Sequence, residues 1–196
     1  GNYAMAAIST GTQNVAVGSG SLRDISDGIR NTSVGAFSAH NVSSGLDNVA
    51  VGANSGFTLT TGDYNTAIGA YALYTEDIGR GTVAVGNAAL YSQDSDSSDE
   101  ITRNVGIGQE SGHYNVTGQY NTYVGYRAGY GSSGNSHLST VAIGTQALNG
   151  ITTGNYNTAI GDRAGYTLTT TTSTVLIGFQ AGYGLNSTDA NGAVMI

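Results

Sequence analysis

The chain has 196 residues with no Cys, Pro, Trp or Lys, and its six Arg face thirteen Asp plus Glu for a formal charge of −7 at pH 7. That balance excludes a nucleic-acid binder, which needs a basic stripe for phosphate contacts. No apolar run approaches the roughly 18 residues of a membrane span, and without Cys there is no disulfide framework or thiolate metal site.

Gly, Ser, Thr and Asn make up 92 of the 196 residues, and charged residues only 10 %, against roughly 25 % in ordinary globular chains. Val, Leu, Ile and Phe number 39. So few large apolar residues border on the disordered range, and it is their ordering that argues for a fold. The pattern N-[TV]-A-[VI]-G recurs along the whole chain. Its last position falls at Gly1, Gly18, Gly35, Gly52, Gly69, Gly86, Gly108, Gly125, Gly144, Gly161, Gly178 and Met195. The spacing is 17 residues nine times, 22 once and 19 once. A fixed period of this kind marks a repeat architecture.

Each repeat reads in the same order. It begins with an Asn column: Asn14, Asn31, Asn48, Asn65, Asn104, Asn121, Asn157 and Asn191, with Thr82, Thr140 and Thr174 in the remaining places. Next come Val or Thr, a small residue, and Val or Ile, as in Val49-Ala50-Val51. The two outer positions share a face at period 2, which predicts a short strand. Ala or Ser stands three residues past the motif Gly, an aliphatic recurs four residues later (Ile25, Val42, Leu59, Ile151, Leu168), and a second Gly follows (Gly28, Gly45, Gly62). A 17-residue unit with two Gly turns is too short for a helix pair. It predicts one coil of an all-β parallel β-solenoid of about eleven coils, each hydrogen-bonded to the next, forming one repeat domain over 1–196 with insertions within 92–103 and 131–139. Stacked Asn14, Asn31, Asn48, Asn65, Asn104, Asn121 and Asn157 then form an amide ladder. The Ala and Ser columns look too small to build a core and suited to close approach of another backbone, so they are expected to bury one flat face against copies of this chain.

Asn65-Thr66-Ala67-Ile68-Gly69, Asn157-Thr158-Ala159-Ile160-Gly161 and Asn48-Val49-Ala50-Val51-Gly52 resemble the head repeats of trimeric autotransporter adhesins of the YadA type. Arg163-Ala164-Gly165-Tyr166 after the motif and Thr152-Thr153-Gly154 before the next are similar to repeats in phage tail fibres. The resemblance covers the whole chain, although these coils are longer than those of typical adhesin heads. It implies a left-handed parallel β-roll, a side-by-side homotrimer, an extracellular place on a cell or virion surface, and attachment to a host surface or matrix. The chain opens on the last residue of one motif and closes just beyond another, which reads as a piece of a longer fibre.

Two features offer chemistry. An aromatic column carries His40, Phe57, Tyr74, Tyr91, His113, Tyr130, Tyr166 and Tyr183, and a second group is Tyr64, Tyr120 and Tyr156. Tyr on a rigid rod stacks on sugar faces and hydrogen-bonds through its hydroxyl. Tyr74, Tyr91, Tyr130, Tyr166 and Tyr183 are therefore candidate glycan contacts, and a stiffening ladder is the plainer reading of the same column. The longer insertion carries Asp94, Asp96, Asp99 and Glu100. Such acids could chelate Ca²⁺, but the run lacks the Gly and spacing of an EF-hand loop, so a solvated bulge is expected. The Gly/Ser-rich second insertion, with His137, reads as a flexible loop.

No cofactor is implied. Paired carboxylates for glycan cleavage are absent, since Asp162 and Asp189 stand alone, and the three His are scattered; the chain reads as no enzyme. A column of Thr10, Ser44, Thr61, Thr117, Thr153, Thr170 and Ser187 suggests an ice-binding array, but Asp27 and Ile78 interrupt it. Asn31, Asn41, Asn115 and Asn186 match N-x-[ST] as chance matches in a Ser/Thr-rich chain. The expected function is a structural and adhesive segment of an extracellular trimeric fibre, its partners being itself and a cell-surface glycan or matrix protein. A self-assembling filament or matrix subunit is the rival.

Overall fold

The computed structural model describes residues 1–95, 101–185, 188 and 190–196. One parallel sheet runs in chain order through β1 (Val15–Val17), β2 (Thr32–Val34), β3 (Val49–Val51), β4 (Thr66–Ile68), β5 (Val83–Val85), β6 (Val105–Ile107), β7 (Thr122–Val124), β8 (Val141–Ile143), β9 (Thr158–Ile160), β10 (Val175–Ile177) and β11 (Val194–Met195). Each strand pairs with its counterpart one repeat on: Val15 faces Thr32, Ala50 faces Ala67, and Val83 faces Val105 across the longer insertion. The chain is the β-solenoid that the repeat predicts. The second extended segment of each coil is thinner than expected, with isolated bridges such as Thr12–Ile29 and Ile29–Leu46 among the described residues.

The end of the ladder departs from the 17-residue count. Val175 faces Val194 and Leu176 faces Met195, so the last repeat spans 19 residues. Ala193 takes the Asn column, its carbonyl accepting from Val175 N at 2.8 Å. Asn191 lies two residues earlier, where its Oδ1 accepts from Thr172 N. Val194 and Met195 suit a strand better than Gly192 and Ala193 would.

The motif Gly has a steric cause. Gly52 has φ +129°, and a Cβ there would stand 2.7 Å from the Gly69 carbonyl carbon and oxygen. Like stacks on like at one backbone per rung, which leaves no room for a side chain. The turn that follows is built mostly without Gly. Tyr71 and Leu73 have φ of 58° and 50°, a left-handed conformation costing about 1–2 kcal/mol for an L-residue. The ladder holds them there: Tyr71 N donates backward to Ala53 O and Leu73 N donates forward to Ala89 O, both at 3.0 Å.

The interior is lined by small side chains, which corrects the expectation of an Ala/Ser face packed against other copies. Ala50, Ala67, Ala84 and Ala142 at the strand centres, and Ser21, Ser55, Ala72, Ala89 and Ala164 in the turn, are all fully buried inside the coil. Ser55 Oγ donates to Gly52 O at 3.0 Å, so its hydroxyl is satisfied there. The core is completed by Ile25, Leu59, Ile151 and Leu168, and by Leu22, Leu73, Leu90 and Leu148 in the left-handed turn. The outer strand residues point the other way and remain partly exposed.

The Asn column works as a bracket. Asn48 Oδ1 accepts from Asn65 N at 2.9 Å, and Asn48 Nδ2 donates to Gly62 O at 2.6 Å. Asn14, Asn31, Asn104, Asn121 and Asn157 make the same two kinds of bond with the next coil. Asn65 Oδ1 accepts from Thr82 N and its Nδ2 donates to Gly79 O. Burial of Asn31 and Asn115 fits their reading as chance sequon matches.

Between Leu59 and Ile151 the interior aliphatic column becomes polar: Glu76, Gln93, Asn115 and Asn135, all buried. These coils contain the insertions or adjoin them. Gln93 Oε1 accepts from Asn104 and Asn115, Gln93 Nε2 donates to Val116 O at 2.7 Å, and Asn135 Nδ2 donates to Ile151 O at 3.0 Å. Side-chain amides thus take over backbone partners that the regular ladder no longer reaches. The second insertion also delivers His137 into the core, where its Nε2 meets the hydroxyl of the fully buried Tyr123. Tyr123 stands where most other strands carry Ala. Gly112 and Gly129 make room for it, since a Cβ at either would collide with its ring. His137 is therefore packed and hydrogen-bonded, not part of the flexible loop expected of this insertion.

Asn48→Ala leaves Asn65 N and Gly62 O unpaired and should cost about 2–4 kcal/mol in urea unfolding. Burial pushes His137 down to about 4 from its usual 6.5. The unfolded chain therefore binds a proton that the folded chain refuses until about pH 4. Stability should be full above about pH 6.5 and fall by about 3 kcal/mol between there and pH 4. The double variant Tyr123→Phe, His137→Leu should flatten that slope.

Candidate functional site

Each coil turns sharply after its motif Gly, and the residue five past that Gly comes to the outside corner. Because the coils stay in register there, the corner residues stack. His40, Phe57, Tyr74, Tyr91, His113 and Tyr130 form one continuous ladder with centroids 5.0–5.4 Å apart and planes within 22° of parallel. Tyr166 and Tyr183 form a second stack at 5.4 Å. Such pairs contribute about 0.5–1.5 kcal/mol each beyond area burial. Burial pushes the Tyr91 hydroxyl up and the His113 imidazole down, so both favour the neutral forms that stack without charge.

Stacking decides what each ring can offer. Both faces of Tyr74 and of Tyr91 are covered by ladder neighbours, which leaves them edges and hydroxyls only. Tyr130 is covered on one side by His113, and Tyr166 on one side by Tyr183. The rung between them belongs to Asn149, which no sequence signal had singled out.

The ladder is flanked by a second column, two residues past the motif Gly, in the left-handed conformation. It places Tyr71 beside Tyr74 at 5.7 Å and Arg127 over Tyr130 at 4.9 Å from the ring centroid. Arg127 Nε bonds Glu110 Oε2, and Tyr114 packs edge-on against both His113 and Tyr130. The richest polar and aromatic surface of the rod thus lies where the two columns run side by side. Sequence spacing alone hid this pairing, because the left-handed turn that brings the columns together is made by residues with no shared chemistry.

The other candidates are placed differently. Tyr64, Tyr120 and Tyr156 project singly from a separate corner, 49–60 % exposed, on rungs with no Tyr neighbour. Asp94 is exposed; Asp96, Asp99 and Glu100 lie outside the described residues, as do Asn186, Ser187 and Asp189. No group of three or more His, Asp or Glu that could hold a metal ion occurs among the described residues. Glu76 sits inside the coil, its Oε1 accepting from Gly79 N at 2.7 Å and its Oε2 without a partner, and burial raises its carboxyl. In the Thr column, Thr10 Oγ1 is tied to Asp27 and Thr117 Oγ1 to Ser136, so those hydroxyls bond within the rod.

Glu76 has an opposite signature to His137. Its carboxyl is raised in the folded chain, so stability should fall as pH rises above about 4.5. Glu76→Gln should therefore raise the melting temperature at pH 7 and change it little at pH 4. No family model, no curated protein sequence and no solved structure matches this chain.

Proposed function

We propose that this chain is a structural and adhesive segment of an extracellular fibre in which three copies lie side by side, and that the fibre attaches to a host surface or matrix. The observation that supports this reading is the outward face of the sheet. Small residues fill the coil, so the larger aliphatics of the strands are left outside: Val17, Val34, Ile68, Ile107, Ile160 and Ile177 are each 36–56 % exposed. They stand on β1, β2, β4, β6, β9 and β10, and the half-buried Val51, Val85, Val124 and Ile143 continue the row on the strands between, about 4.8 Å apart, as one stripe from β1 to β10.

A contiguous apolar face of this kind marks an interaction surface. The partner that matches its repeat and length is another copy of the same sheet face, since equal rung spacing lets each Val or Ile meet its equivalent all along the rod. Packing around a threefold axis covers the stripe on every copy and leaves the aromatic corner of each open. Attachment through three equivalent corners needs only modest affinity at each, because the second and third contacts are intramolecular.

Light scattering on the chain over a range of concentrations should give a constant mass of three chains. Ile68→Asp combined with Ile160→Asp should reduce this to one chain with an unchanged circular dichroism spectrum. A wild-type monomer at all concentrations, or growth without limit, would overturn the side-by-side trimer.

A further inference from the structure

The six-ring ladder holds two phenols in succession at one place, Tyr74 and Tyr91; its other rungs are His40, Phe57, His113 and Tyr130. The two rings lie 5.1 Å apart and 8° from parallel. The backbone fixes them from both sides: Leu73 N donates to Ala89 O at 3.0 Å and Thr75 N to Tyr91 O at 3.2 Å. Thr75 Oγ1 adds bonds to Tyr91 O and Gln93 O, both at 2.9 Å. Equivalent atoms of the two side chains therefore stand one rung apart, and these include the ring carbons beside each hydroxyl.

Along the ladder the pair is enclosed by rings that are not phenols: Phe57 rests on Tyr74 at 5.2 Å and His113 on Tyr91 at 5.1 Å. Tyr71 approaches both, but at 5.7 and 6.4 Å and tilted by 56° and 48°. Burial, and after it the nearby Tyr74 and Tyr71 hydroxyls, push the Tyr91 hydroxyl up, so the phenols meet as neutral groups. Tyr74 and Tyr91 are both half-buried. The chain has no Cys or Trp and only two Met, and Phe and His give up an electron less readily than a phenol. One-electron oxidation of the ladder therefore falls on its tyrosines.

We propose that Tyr74 and Tyr91 are a site of oxidative modification, at which hydrogen peroxide and a haem peroxidase join the two rings by a carbon–carbon bond and staple two successive coils. Each phenol gives up one electron and its hydroxyl proton. The two radicals join at the ring carbons next to oxygen, because the carbon opposite the oxygen already carries Cβ. The hydrogen on each joined carbon then moves to its oxygen and restores both phenols. The pair has lost two electrons and two protons, which reduce one hydrogen peroxide to two waters. A turn of the rings about their Cβ–Cγ bonds points the two edges at one another, and the backbone register stays as it is. Other contacts are built differently. Tyr64, Tyr120 and Tyr156 stand on rungs with no Tyr neighbour, and Tyr114 meets Tyr130 edge-on, 78° from parallel. Tyr166 and Tyr183 are a second stacked pair, at 5.4 Å and 16°; both fall in one tryptic peptide, Ala164–Ile196, so coupling there is read separately.

The whole chain, treated with hydrogen peroxide and a haem peroxidase, should gain the blue fluorescence of dityrosine. Trypsin cuts after Arg80, between the two residues. Digestion of the band that runs as one chain in denaturing electrophoresis should then yield Asn31–Arg80 joined to Gly81–Arg103, at the sum of their masses less two hydrogens. Fragmentation should place the bond at Tyr74 and Tyr91. The stapled chain should melt a few degrees higher, because the bond closes a loop in the unfolded chain. Tyr74→Phe keeps a ring in the stack, as Phe57 already does one rung away, so it should fold and lose the joined peptides. Tyr71→Phe should retain them. Joined peptides that survive Tyr74→Phe, or vanish in Tyr71→Phe, would overturn the assignment. So would their presence only in bands of two or more chains, or their absence while free tyrosine added to the same mixture is coupled.

Discussion

Everything in this molecule depends on the coil-to-coil hydrogen-bond ladder and the registry it demands. A parallel stack brings each residue against its equivalent above and below at roughly 4.8 Å. A residue type is acceptable at a position only if it packs against itself. Gly at the strand end, Asn at the strand start and a flat ring at the corner all satisfy that condition, for different reasons. Gly removes the Cβ that would strike the next backbone, Asn carries both a donor and an acceptor to pass along the row, and a ring offers two equivalent faces. The absence of Pro from the chain follows from the same demand, because a ladder position cannot spare its N–H.

The two insertions show how much irregularity the ladder accepts. Both lie between strands that still pair residue for residue, Val83 with Val105 and Thr122 with Val141. The disturbance is confined to the second half of the coil, where buried amides replace missing backbone partners and Tyr123 with His137 fills the widened interior. The middle of the rod is thereby chemically unlike its flanks. It holds the buried Glu76 and His137, whose pH responses are opposed: His137 adds stability as pH rises from about 4 to 6.5 and Glu76 loses it above about 4.5, so the two offset each other through mildly acid pH.

The coil also separates its duties by face. The sheet shows aliphatic side chains outward, the corner shows rings, and the interior combines small Ala and Ser at the strand centres and turns with one or two Leu or Ile per coil. A rod of this design has surface to spare for contacts, because so little apolar mass is spent on the core.

The sequence by itself determined the period, the strand positions, the parallel order and the Asn row, because each is a matter of spacing and like-on-like stacking. It did not determine which face turns inward. A three-residue strand is too short for alternation to assign a side, and Ala and Val are both apolar; the narrow coil chose by size, admitting Ala50 and Ala67 and leaving Val51 and Ile68 outside. Only the tertiary structure decided the left-handed turn at Tyr71 and Leu73, whose conformation is enforced by bonds to both neighbouring coils rather than by the residues themselves. The 19-residue last repeat was likewise settled by which residues make the better strand against Val175 and Leu176. The pairing of Arg127 with Tyr130, and the place of Asn149 between two tyrosines, follow from that turn.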